Sequence, residues 1–112
     1  MPTPHYPPPA VLRVLRTLGG DIREARLRRR LTMQIVAERA FTSRATLQRI
    51  ENGDPGVGMG IYAAVLQALG LLERLDQLAN PANDPVGQAL ASARTPKRVR
   101  IPRMAEKQND AD

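Results

Sequence analysis

Two hydroxyl residues, Thr32 and Ser43, constrain this chain more than any other feature. Each precedes a short run with helical spacing, and a Thr or Ser oxygen accepts from the N–H groups that a helix start leaves unpartnered. After Thr32, the apolar residues Val36, Ala37 and Ala40 recur at the period of a helix face. After Ser43, Leu47 and Ile50 occupy the inward positions, and Glu51-Asn52-Gly53 ends the run with the glycine expected beyond a helix C-terminus. Arg44, Ala45, Thr46, Gln48 and Arg49 are left to face outward. The pattern predicts two short helices with a tight joint.

A pair of this kind is a helix-turn-helix. Arginine and glutamine can each make two hydrogen bonds to guanine or adenine edges in the major groove, so the outward face of the second helix points to duplex DNA. The rival reading is a solvated helix face. With 112 residues there is room for one small domain and tails, and the net charge of +6 suits a polyanionic partner or simply keeps a basic protein dispersed. The chain has no cysteine, which excludes disulfides and thiol chemistry and fits a reducing cytoplasm, the expected location. No run approaches the roughly 18 apolar residues of a membrane helix, and the N-terminus lacks a signal peptide's apolar core.

Residues 1–9 carry half of the ten prolines and are expected to form an extended arm. Helical periodicity begins near Ala10, with Val11, Val14, Leu15 and Leu18 on one stripe, followed by Ile22, Ala25 and Leu27. Gly19-Gly20 lies between, and two glycines cost about 2 kcal/mol in a helix interior. The expectation is a short leading helix over 10–19 and a separate first domain helix from Gly20 to Arg30. Ile61, Ala64, Val65, Ala68 and Leu69 mark a fourth domain helix closed by Gly70, and Leu71, Leu72, Leu75 and Leu78 mark a fifth. Five helices over 20–80 make a compact all-α domain. In the extension 81–112, Asp84–Ala93 suits one more short helix, and RTPKRVRIPR forms a basic, flexible tail.

The segment from about Gly19 to Ala79 resembles the Xre family of DNA-binding domains, with the lambda-type phage repressor and Cro fold. The matching pieces are IREARLRRRLT, the two-helix segment, RIENGDP and YAAVLQALGL. A narrower likeness is to the HipB-type antitoxins that accompany HipA-like serine/threonine kinases. It rests on SRATLQRIENGDPGV, VLQALGLLERLDQLA and the ending NDPVGQALASARTPKRVR. The resemblance implies a homodimeric, autoregulating repressor that also binds and restrains such a kinase. It places Arg44, Ala45, Gln48 and Arg49 at base edges, and Thr32, Gln34, Ser43 and Thr46 toward the DNA backbone. It also makes Arg26 and Glu51 a partly buried salt bridge.

Two positions depart from the family. Met33 stands where glutamine often follows the cap, and Phe41 holds the turn position usually given to glycine.

Several readings stay open on the residues alone. The arginines of Leu27–Arg30 serve either phosphate binding or the negative end of a helix dipole. Leu71, Leu72, Leu75 and Leu78 are more than a short terminal helix needs for a core, which favours a dimer seam. His5, the only histidine, has no fixed neighbour and receives no role. GDPGVGMG follows a helix and lacks the context of a phosphate cradle. With no nucleophile and base set and no metal-ligand cluster in the sequence, an enzyme and a bound metal or cofactor are not expected. A stand-alone phage-type or restriction-controller regulator and a pure protein-interaction module are the competing functions.

Overall fold

The computed structural model describes residues 6–94, and every regular element among them is helical. Two compact units divide between Asp76 and Gln77. The first contains α1 (Pro9–Arg28), α2 (Met33–Arg39), α3 (Arg44–Glu51), α4 (Met59–Ala68) and α5 (Leu72–Asp76). Among its described residues, the second contains a 3₁₀ turn, Pro81–Asn83, and α6 (Pro85–Ala93).

Helix α1 is continuous through Gly19-Gly20, which corrects the expected break. The glycine cost is accepted for a packing reason. Gly19 is buried, and a Cβ there would stand 2.5 Å from the Ile50 carbonyl oxygen and 2.7 Å from that of Glu51. The first glycine is therefore a notch where α1 crosses the end of α3, not a hinge. A proline at the first helical position, Pro9, starts the helix early, because its missing N–H would have lacked a partner there anyway. Most of the expected proline arm, and all of the basic tail from residue 95, lie outside the described residues.

The core joins Ile22 of α1, Val36 and Ala37 of α2 with Ala40 at its C-terminal end, Leu47 and Ile50 of α3, Val57, and Tyr62, Val65, Leu66 and Leu69 around α4. Helix α3 packs on both α1 and α2, and α4 packs on α2 and α5. The inward stripe of α4 is shifted from the expected one. Tyr62 and Leu66 are buried, whereas Ile61 is exposed. The Tyr62 hydroxyl donates to the Asp54 carbonyl at 2.8 Å, so an amphipathic ring satisfies its polar end while filling the core. In α1, Val11, Val14 and Leu27 are likewise exposed, and Arg26 takes an inward position instead.

Helices α1 to α4 all end in the same six-residue hydrogen-bond pattern. Arg30 N donates to Leu27 O and Leu31 N to Arg26 O; Phe41 N donates to Glu38 O and Thr42 N to Ala37 O. Gly53 and Gly70 close α3 and α4 in the same way. The closing residue takes positive φ each time, 75° at Gly53 and 78° at Gly70, but also 55° at Arg30 and 56° at Phe41. The turn between α2 and α3 therefore keeps its usual geometry without glycine. Phe41 bears the strain while its ring is 96% exposed.

In the second unit, the short helix expected over Asp84–Ala93 is α6. The Asp84 side chain caps it by accepting from Gly87 N at 3.0 Å. The Asn80 side chain caps the preceding turn through Ala82 N.

Candidate nucleic-acid interface

Both expected caps are formed. Thr32 Oγ1 accepts from Ile35 N at 3.1 Å, and Ser43 Oγ accepts from Thr46 N at 3.0 Å. Ser43 also donates to Thr46 Oγ1 at 2.9 Å, which ties two of the residues assigned to the DNA backbone into one local bond pair. With Leu47 and Ile50 completely buried, α3 is fixed in rotation about its axis. Arg44, Ala45, Gln48 and Arg49 consequently emerge on one solvent-exposed face.

The residues on that face differ in freedom. Among the described residues, no hydrogen-bond or ion-pair partner holds the Arg44 or Gln48 side chain. Arg49 is engaged, its Nε 2.8 Å from Oδ2 of Asp54. On α2, the Gln34 amide donates to Glu38 at 2.9 Å, so its N–H₂ group is partly committed along its own helix. Met33 is half-buried and packs against the core.

Behind the face, Arg26 and Glu51 meet in a two-pronged ion pair. Nε lies 2.7 Å from Oε2 and Nη2 3.1 Å from Oε1, with both side chains almost wholly buried. Arg26 Nη1 donates to the Leu31 carbonyl at 3.1 Å. Three donors of one guanidinium thus join α1, the α1–α2 joint and the last turn of α3.

The loop after α3 carries a network that sequence reasoning missed. Asp54 accepts from Arg49 on Oδ2 and from Gly56 N on Oδ1, at 2.8 and 2.7 Å. The Arg49 hydrogen bond, followed by that of Gly56, holds the Asp54 carboxyl below the usual carboxylate range. Burial pushes the Tyr62 hydroxyl up, which keeps its proton available for the Asp54 carbonyl. Only the Asp-Pro-Gly composition hinted at a built turn.

Of the four leucines assigned to a dimer seam, Leu71 and Leu75 are half-buried against the first unit's own core. Leu72 is 37% exposed and Leu78, in the second unit, 72%. No described helix is long and apolar enough to cross a membrane.

The family model of a helix-turn-helix domain matches residues 17–78, more than half of the chain. The chain belongs to the helix-turn-helix family. The matched span runs from the notch in α1 past α5 and includes the capped pair α2–α3. Membership places the chain among DNA-binding helix-turn-helix proteins, whose second helix lies in the major groove. No curated protein and no solved structure matches the chain.

Proposed function

We propose that the chain is a homodimeric repressor that reads duplex DNA through α3. The observation that carries this is the open face of α3, where Arg44, Ala45, Gln48 and Arg49 stand together beside a capped N-terminus. Arg44 and Gln48 discriminate bases, Arg49 reads a third edge, and Thr32, Gln34, Ser43 and Thr46 lie toward the phosphates. In a dimer, two copies of α3 enter successive major grooves about 34 Å apart. Leu72 is the exposed candidate for the seam in the first unit.

The narrower proposal is an antitoxin that represses its own operon and restrains a HipA-like kinase. Its support is the sequence likeness of the GDPGV loop and of the NDPVG…TPKRVR ending. Co-expression with the product of the neighbouring gene tests it. A stable complex with silenced kinase activity is expected; an unrelated neighbour, or no copurification, leaves the stand-alone regulator.

DNA binding is tested by titrating the chain on the DNA upstream of its own gene at several salt concentrations. The affinity is expected to fall steeply with salt, because cationic contacts release counterions from the phosphates. Binding that ignores both salt and replacement of Arg44 and Arg49 overturns the proposal in favour of a protein-interaction module.

A further inference from the structure

Arg49 lies on the open face of α3, yet its guanidinium is braced. Nε donates to Asp54 Oδ2 at 2.8 Å. Asp54 is held at two more atoms, its Oδ1 by Gly56 N at 2.7 Å and its carbonyl by the Tyr62 hydroxyl at 2.8 Å. Tyr62 is buried in α4, so the carboxylate is anchored through its own backbone to the domain core. Gly56 leaves room for the pair, since a Cβ there would lie 3.1 Å from Arg49 Nη2. An exposed ion pair contributes little to stability. An aspartate held at Oδ1 and at its backbone carbonyl does something else: its free Oδ2 selects one rotamer of a long, flexible side chain.

The remaining donors decide what that rotamer can read. A guanidinium carries five N–H groups in a rigid fork, and bidentate reading of guanine uses two of them on O6 and N7. With Nε taken by Asp54, the side-on pair is removed and the end-on pair of Nη1 and Nη2 remains. About half of the Arg49 side chain, 51%, is still exposed to make that contact. The adjacent carboxylate also cancels much of the charge that would draw Arg49 to phosphate at random.

We infer that Asp54 is a positioning residue that presents Arg49 end-on to a guanine in the major groove. This rests on the reading of α3 as the helix in the groove, and adds the base, the donor atoms and a determinant outside α3. Asp54 exchanges attraction for phosphate, which is blind to sequence, for directional recognition of one base.

The test uses the full chain and a pool of random 30-base-pair duplexes, sequenced after selection. The wild type, Arg49→Ala and Asp54→Asn are compared. The wild type is expected to select a guanine at one column of each half-site. Both variants are expected to lose about tenfold of that preference while the other columns persist. Asp54→Asn is also expected to steepen the salt dependence on an unrelated duplex by about one unit of slope. Column preferences are ratios, so a partly unfolded variant lowers the yield without moving them. A guanine column retained by Asp54→Asn overturns the inference alone. A wild type that enriches no sequence overturns the DNA reading, and the inference with it.

Discussion

Gly19 of α1 and Gly53 behind α3 meet backbone to backbone. A Cβ on Gly19 would lie 2.8 Å from the Gly53 nitrogen, and one on Gly53 would lie 2.6 Å from the Arg16 Cα. The facing atoms are main chain on both sides and cannot swing away. The neighbouring Gly20 has nothing within 4 Å of its Cβ position. Adjacent glycines in one helix should therefore respond oppositely to the same change. Gly19→Ala is expected to cost about 1–3 kcal/mol by overpacking, despite alanine's better helix propensity. Gly20→Ala is expected to stabilise by about 0.5–1 kcal/mol. Chemical denaturation of the two variants checks this, and equal signs would refute the notch.

The Arg26–Glu51 pair joins helices whose partners are 25 residues apart in sequence. Removing either partner strands a buried charge, at a cost of about 3–5 kcal/mol. Arg26→Met combined with Glu51→Leu leaves no charge uncompensated, so the double variant is expected to be more stable than either single one. A double-mutant cycle on denaturation free energies measures the coupling. Additive costs would mean that the two side chains are independent.

Phe41 and Arg30 hold left-handed backbone that costs a non-glycine residue roughly 1–2 kcal/mol. The Phe41 ring buries almost nothing in the chain, so Phe41→Gly gives up no packing. Part of the relief is offset by glycine's greater freedom when unfolded, and a net gain of about 0.5–1 kcal/mol is expected at each site. Thermal melts should show Phe41→Gly and Arg30→Gly melting a few degrees higher than the parent. If Phe41 touches DNA, Phe41→Gly will also bind more weakly.

Asp54 makes stability depend on pH in a defined direction. Its folded-state pKa is depressed, chiefly by the Arg49 hydrogen bond, so between the folded and unfolded values the unfolded chain binds more protons. The contribution is complete above the ordinary aspartate range and is lost as pH falls through the lowered folded value. The difference in melting temperature between the wild type and Asp54→Asn is expected to be full at pH 7 and to shrink in acid. A difference that stays constant down to pH 2 would show that the pair contributes nothing through its charge.

Arg44 has no internal partner among the described residues, so its replacement should act on DNA recognition rather than on the fold. Arg44→Ala is expected to leave the melting temperature within about 1 °C and to cost about 1–3 kcal/mol of discrimination at one base step. Anisotropy titrations against duplexes differing at single positions read that loss. A uniform weakening across all sequences would instead make Arg44 a phosphate contact.

The legibility of each feature follows the range of the interaction behind it. The caps at Thr32 and Ser43 were readable because each bonds an N–H only three residues onward. The inward residues of α2 and α3 were readable because helical spacing alone sorts Val36, Ala37, Leu47 and Ile50 to one side. In α1 and α4, where long apolar runs offer several stripes, periodicity could not choose between Ile61 and Tyr62. The Arg26–Glu51 pair came from the family resemblance, since nothing local to either residue requires the other.

Taken alone, the amino-acid order determined an all-α domain, the capped starts of α2 and α3, the stops at Gly53 and Gly70, and the outward set Arg44, Ala45, Gln48 and Arg49. These depend on hydrogen bonds and spacings within one or two turns, which the local residues dictate by themselves. Tertiary structure decided that α1 runs unbroken past Gly19, that Tyr62 turns inward, and that Asp54 takes hold of Arg49. Those outcomes depend on atoms brought together by packing: a backbone that leaves no space for a Cβ, a core that accepts a ring, and a carboxylate placed beside a guanidinium.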